Sequence, residues 1–205
     1  MSHAEAAETR RERIAYRVFA TVAWLGAKLP THTGRMLFHW AGVAAFHLAS
    51  GPRAVVAENQ ARVLGRSVDD PLVVANTREA FRRYARYWFD AFDVVGWSDE
   101  RIEAGFVWEG IEHLAGPVER GTGVIAVLPH MGNWDAAGRA MEQQGLPVVA
   151  VAERLRPDAL YRLFLEHRQA LGMEIFGLGA NGHVGRSLAS RINAGKVVAL
   201  VADRD

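Results

Sequence analysis

From Arg10 to Gly96 the apolar residues recur every three or four positions, the spacing that lines one side of an α-helix. The pattern predicts helices over residues 10–28, 33–49 and 53–64. A longer one follows Asp69-Asp70-Pro71, where two acids and a proline favour a helix start. Along that fourth segment Ala80, Tyr84, Tyr87, Trp88 and Ala91 mark the predicted apolar face, and Arg78, Arg82, Arg83 and Arg86 take other positions.

After Gly96 the period changes. Short apolar runs at 106–108, 124–128, 148–152, 173–178 and 196–202 alternate with amphipathic stretches at 111–120, 133–144, 158–171 and 183–194. Valine-rich runs of about five residues separated by helices of about ten point to a mainly parallel sheet with crossover helices. Glycines mark the joints (Gly121, Gly123, Gly145, Gly172 and Gly195), where helix ends favour a positive φ. The expected architecture is a single α/β domain over residues 1–205. It comprises a helical N-terminal region, 10–96, and an α/β part, 97–205. An open sheet ordinarily continues with a covering helix or a further strand, so a chain truncated at its C-terminus is expected.

Composition narrows the chemistry. The 205 residues include no cysteine, which excludes a disulfide framework, a zinc–cysteine site, an iron–sulfur cluster and thiol catalysis. Net charge is only +1, yet residues 10–66 carry nine Arg or Lys against Glu12 and Glu58, a local excess of +7. The longest uncharged stretch, Met36 to Pro52, has an apolar part ending near Ala49, short of the ~20 residues a membrane-spanning helix needs. Two readings of this region stand level: packed helices with solvated arginines, or a peripheral surface on an anionic membrane. Nucleic acid is not an expected partner, because the arginines lie among apolar helices and no recognition motif accompanies them.

In open parallel sheets, ligands bind beyond the carboxyl ends of the strands. The polar residues there include His130, in a turn after the run 124–128, and Asp135, in the first turn of the helix that follows. A carboxylate facing an imidazole fixes its tautomer and stabilises the imidazolium, so that the ring can take a proton from a hydroxyl. The adjacent helix N-terminus offers backbone N–H groups to an oxyanion or a phosphate. The bare spacing is weak evidence; its place at a strand end, with Pro129, Gly132 and Asn133 around it, strengthens it. The structural alternative is a turn in which Asp135 serves the helix dipole and His130 is merely exposed.

Three ordered phrases go further. Pro129-His130-Met131-Gly132-Asn133-Trp134-Asp135 resembles the His-x4-Asp block of the bacterial lipid A biosynthesis acyltransferase family. Glu153-Arg154-Leu155-Arg156-Pro157 is similar to its second block, and Ala202-Asp203-Arg204-Asp205 to its acidic block, with Arg204 where Gln is usual. The resemblance spans roughly residues 10–205 and is strongest to the actinobacterial branch that acts on phosphatidylinositol mannosides. It implies transfer of a palmitoyl-like chain from acyl-coenzyme A to a mannose hydroxyl of a membrane glycolipid, at the cytoplasmic face of the inner membrane. His130 is then the general base and Asp135 its orienting partner, with no covalent acyl-enzyme, no metal and no cofactor besides the acyl-coenzyme A co-substrate. Asn133, Glu153, Arg154, Arg156, Arg168 and Asp203 are implied to border the acceptor or phosphate region. An apolar groove opening near His130 is expected to hold the acyl tail, where each buried methylene contributes about 0.8 kcal/mol.

Competing readings keep a place. Glu153, Arg154 and Arg168 also suit a surface salt-bridge cluster. Gly177-x-Gly179-x-x-Gly182 mimics a dinucleotide fingerprint without the acidic residue that should follow. His32, His39 and His47 share a helical face but lack carboxylate co-ligands, so core or interface histidines are expected rather than a metal site. A transferase for another lipid acceptor (a lipid A precursor or a lysophospholipid), or a lipid-binding protein without turnover, remains the functional alternative.

Overall fold

The computed structural model describes residues 9–178 and 184–203. Four long helices come first: α1 (Arg10–Lys28), α2 (Thr31–Leu48), α3 (Ser50–Leu64) and α4 (Pro71–Asp93). The chain then passes through α5 (Asp99–Ala104) and α6 (Glu112–Glu119) into β1 (Val124–Leu128), α7 (Trp134–Gln143), β2 (Val148–Ala152), α8 (Asp158–Ala170), β3 (Glu174–Gly177), α9 (Val184–Asn193) and β4 (Val197–Val201). Two compact units result. One is Val22–Asp93; the other joins the chain up to Thr21 with the chain from Val94 onward.

The helical unit is organised by a ridge of α2 on which Gly34, Phe38, Gly42 and Phe46 follow one another at intervals of four and are all buried. Residues four apart lie on one row of a helix surface, so small and large side chains alternate along the seam. A Cβ at Gly42 would stand 2.7 Å from the Phe81 carbonyl oxygen and 2.8 Å from Arg82 Cα, and one at Gly34 would overlap the Phe89 ring. The two helices therefore run antiparallel at close range, with Phe38 against Phe89 (centroids 5.3 Å apart) and Phe46 against Phe81 (5.9 Å). Polar contacts hold the same end of the seam. Arg35 Nε donates to Asp90 at 2.7 Å, and the Thr31 hydroxyl donates to the buried carboxylate of Asp93 at 3.0 Å.

This seam corrects the expected face of α4. Tyr84 is 64% exposed, whereas Val73, Thr77, Phe89, Ala91 and Phe92 are buried. The gap at Gly34 admits the Phe89 ring and that at Gly42 admits the Phe81–Arg82 backbone, which turns the helix away from the face that ring spacing suggests. Tyr84, Tyr87 and Trp88 instead contact one another. The opposite side of α2 leaves Met36, Leu37, Trp40 and Leu48 exposed. Among the described residues no helix is long and apolar enough to cross a membrane.

The second unit is the expected α/β fold, a parallel sheet with crossover helices. Among the described residues its four strands lie in the order β1-β4-β2-β3, and every pairing is parallel. Val148, Ile175 and Ala199 share one sheet face and pack with Ile102 of α5, Ala136 and Ala140 of α7, Leu171 and Met173. Small residues on α7 bring it close: a Cβ at Gly138 would run into the Met173 sulfur. On edge strand β1 the alternation is visible as exposure, with Ile125 and Val127 open and their neighbours half-buried. The run 106–108 is not a strand. Phe106 and Trp108 stack at 5.5 Å and pack on this core as side chains, without a backbone ladder. Helix α5, absent from the sequence reading, is capped by Ser98, whose hydroxyl accepts from the Arg101 N–H at 3.3 Å.

Candidate active site

The β1–β4 register sets the centre of the site. Leu128 lies opposite Val201 at the carboxyl ends of the two strands, and the Ala202 N–H donates to the Leu128 carbonyl at 3.1 Å. The residues two positions beyond each strand, His130 and Asp203, consequently emerge side by side. Asp203 Oδ2 accepts from the His130 backbone N–H at 2.8 Å, and Oδ1 meets His130 Nδ1 at 2.5 Å. These contacts, the backbone one first and the ring second, hold the Asp203 carboxyl below the ordinary aspartate value of 3.8.

The turn after His130 reverses the chain into α7. Gly132 has φ +68°, a left-handed conformation that favours glycine. Asn133 then caps α7, its carboxamide oxygen accepting from the Ala136 N–H at 3.0 Å. Trp134, the first residue of α7, sets its ring edge-to-face against His130 with centroids 5.0 Å apart. Asp135 is buried and accepts from Arg168 Nε of α8 at 3.1 Å. The Arg168 guanidinium also lies over the rings of Trp134 (5.7 Å) and Phe164 (6.0 Å).

The partner of His130 is thus Asp203, and the expected pairing with Asp135 gives way to an Asp135–Arg168 ion pair. The physical reason is helix geometry. Asp135 sits one residue inside α7 and points into the core, where a guanidinium neutralises it. The end of β4 meanwhile brings a second carboxylate directly to the imidazole. Nothing local in the sequence announces this, because adjacency of β1 and β4 is a property of strand order. Trp134, whose ring meets His130, is not singled out by the sequence analysis, although it lies inside the phrase that carries the resemblance.

Glu153, Arg154 and Arg156 follow β2 and are exposed. Arg154 pairs with Asp158 at 3.4 Å and lies over Tyr161 at 5.8 Å. These three belong to the same carboxyl edge of the sheet, but Arg154's contacts are to α8 and not to the His130 cluster. Gly177 closes β3, where a Cβ would strike the Tyr161 hydroxyl, so packing alone accounts for that glycine. Gly179 and Gly182 of the fingerprint-like phrase, and Arg204 and Asp205 of the acidic phrase, lie outside the described residues. His39 and His47 make ring contacts with Trp40 and Phe46, and no cluster of three metal-ligating residues occurs among the described residues.

Chemically, an ionised Asp203 keeps a proton on His130 Nδ1 and leaves the Nε2 lone pair for a hydroxyl proton. Helix α7 begins four residues after His130, and a helix N-terminus suits a developing oxyanion, although the Ala136 and Ala137 N–H groups are already bonded to Asn133.

The family model for bacterial lipid A biosynthesis acyltransferase matches residues 5–205. Among curated proteins, the chain is 38% identical over 151 residues to a phosphatidylinositol mannoside acyltransferase of Mycolicibacterium smegmatis, covering 72% of this chain and 48% of that one. It is 34% identical over 189 residues to the Mycobacterium tuberculosis protein of the same name, covering 89% of this chain and 58% of the relative. The chain therefore spans about half the length of the curated relatives it matches. With the match running along nearly all of its length, the chain belongs to the bacterial lipid A biosynthesis acyltransferase family.

Proposed function

We propose that the protein is an acyl-coenzyme A-dependent O-acyltransferase that moves a palmitoyl-like chain onto a mannose hydroxyl of phosphatidylinositol mannosides. The observation that carries this reading is the two-point hold of Asp203 on His130 at the sheet's carboxyl edge, beside the start of α7. His130 Nε2 takes the hydroxyl proton as the oxygen attacks the thioester carbonyl. The new C–O bond forms, the C–S bond breaks, and the imidazolium returns its proton to the coenzyme A thiolate. N–H groups of the first turn of α7 stabilise the tetrahedral oxyanion. Asp203 orients and balances the imidazolium, while Asp135 and Arg168 build the wall behind it. Glu153, Arg154 and Arg156 border the polar acceptor.

The names of the relatives support the acceptor class. Attachment at the cytoplasmic face of the inner membrane is supported by the +7 excess within residues 10–66 and by the exposed Met36, Leu37, Trp40 and Leu48 of α2. The test is transfer of labelled palmitate from palmitoyl-coenzyme A to a panel of glycolipid acceptors by the wild type and His130→Ala. Mannosylated phosphatidylinositol labelled by the wild type alone bears the reading out. Equal labelling by both proteins removes His130 from the base role, and label on no acceptor with no coenzyme A release rejects the activity.

A further inference from the structure

We infer that Trp134 is a positioning residue for His130, its indole fixing the imidazole in the orientation that serves an acceptor hydroxyl, with the Asp135–Arg168 pair acting through it. The inference rests on the reading of His130 as the general base.

The need for such a residue follows from the geometry. The ring of His130 is tied to Asp203 at one atom, Nδ1, because the second Asp203 contact goes to the backbone N–H. One hydrogen bond restrains rotation about Cβ–Cγ but leaves the ring free to pivot on that contact through coupled changes of χ1 and χ2. The surroundings do little to stop it, since the His130 side chain is 36% exposed and stands in a turn opened by Gly132 at φ +68°. A second, non-collinear contact is required to fix the plane. The edge-to-face packing of the indole at 5.0 Å supplies it, and also presents an aromatic ring to the imidazolium that forms during transfer.

Trp134 is itself placed from below. It opens α7, and the next residue, Asp135, is locked into the core by Arg168 at 3.1 Å. The same guanidinium covers the indole at 5.7 Å. Four side chains thus form a connected series from Asp203 through His130 and Trp134 to Arg168, and Asp135 anchors its far end. On this account the five-residue separation of His130 and Asp135 matters even though the two do not touch. It places the anchor one residue past the indole that meets the ring.

The experiment compares Trp134→Ala, Trp134→Phe and Trp134→Leu in palmitoyl transfer to mannosylated phosphatidylinositol. It also follows the His130 ring by 15N and 13C NMR, with its signals assigned by their loss in His130→Ala. In the Ala variant kcat is expected to fall about 10–100-fold while KM stays within about twofold. The neutral ring should lose order, while Asp203 still keeps its proton on Nδ1. Phe, which keeps an aromatic face, should restore most of both properties. Leu, which keeps the fold by filling the volume, should restore neither. Wild-type kcat and ring order in the Ala or Leu variant would overturn the inference, as would a rise in KM with the ring unchanged, which would make Trp134 a substrate contact. Full turnover by His130→Ala would sink the general-base reading instead, and the ring spectra of the three variants would still decide whether Trp134 positions His130.

Discussion

Asp203 holds His130 at two points, accepting from its backbone N–H at 2.8 Å and meeting its ring Nδ1 at 2.5 Å. Carboxylate and imidazole come from residues 73 positions apart, joined because β4 lies directly beside β1. An amide at position 203 keeps the shape but loses the charge that holds the proton on Nδ1. Asp203→Asn should therefore lower kcat on the order of 10²–10³-fold. Because both side chains are more than a third exposed, its thermal melt should match the wild type. Steady-state kinetics beside a melting curve checks both halves; a variant with normal kcat would remove Asp203 from the site.

The same contacts set a pH dependence. The Asp203 carboxyl lies below its ordinary 3.8, chiefly through the His130 backbone N–H and secondly through the ring. A depressed carboxylate keeps its stabilising contacts fully above the ordinary value and loses them as pH falls through the folded one. A 13C titration of the Asp203 carboxyl should have its midpoint below 3.8. In His130→Ala the midpoint should return only partway, since the backbone donor remains. A complete return would mean that the ring dominates.

Much of the scaffold is legible in the sequence. The strand runs 124–128 and 148–152 match β1 and β2 in the structure residue for residue, since five apolar residues set between Gly123 and Pro129, and between Pro147 and Glu153, leave little freedom of register. What local pattern cannot report is which strands are neighbours. Chain order suggests β1 beside β2, whereas β4 separates them, so the sequence offers Asp135, close in the chain, as the partner of His130 and leaves Asp203 at the border of the acceptor region. The buried face of α4 differs from the expected one for a related reason. Ring spacing indicates where aromatic side chains are, but whether they are buried depends on the gaps that another helix offers, here at Gly34 and Gly42. The run 106–108 shows the limit of hydrophobicity as a strand signal, because three apolar residues can meet a core by side chains alone.

The Asp135–Arg168 pair offers an asymmetric test. The Asp135 side chain is 7% exposed and that of Arg168 23%. Removing the guanidinium leaves a buried charge without its partner, offset only in part by the start of α7. Arg168→Met should cost about 2–3 kcal/mol at pH 7, below the full penalty for a completely buried pair. Asp135→Asn retains an acceptor for Arg168 and should cost about 1 kcal/mol. Urea denaturation of the two variants orders them, and the reverse order would mean that Asp135 is stabilised mainly by its helix.

Glu142 makes a prediction of the opposite sign. Burial raises its carboxyl above the ordinary 4.5, against the smaller pull of the Val148 N–H, which donates to Oε1 at 2.6 Å. A raised carboxyl stabilises the fold below its ordinary value, and that contribution is lost as pH rises through the folded one. Glu142→Gln keeps an acceptor for Val148 without the charge. It should melt at a higher temperature than the wild type at pH 7, with the difference closing toward pH 4. A lower melting temperature at pH 7 would mean that the attraction of Lys196 outweighs the burial.

The seam between α2 and α4 depends on glycine for clearance rather than for backbone freedom. A methyl group at position 42 would meet backbone atoms, Phe81 O and Arg82 Cα, which cannot rotate aside as a side-chain tip can. Both helices must separate to admit it, and the ring pairs Phe38–Phe89 and Phe46–Phe81 would open with them. Gly42→Ala should therefore destabilise by about 2–3 kcal/mol despite the better helix propensity of alanine, which contributes about 1 kcal/mol the other way. Gly51→Ala is the matched control: it lies in the first turn of α3 with nothing within 4 Å of its Cβ position. There the substitution should be neutral or slightly stabilising. Chemical denaturation of the two variants separates the explanations, because equal effects at 42 and 51 would mean that the α2–α4 seam has room to spare.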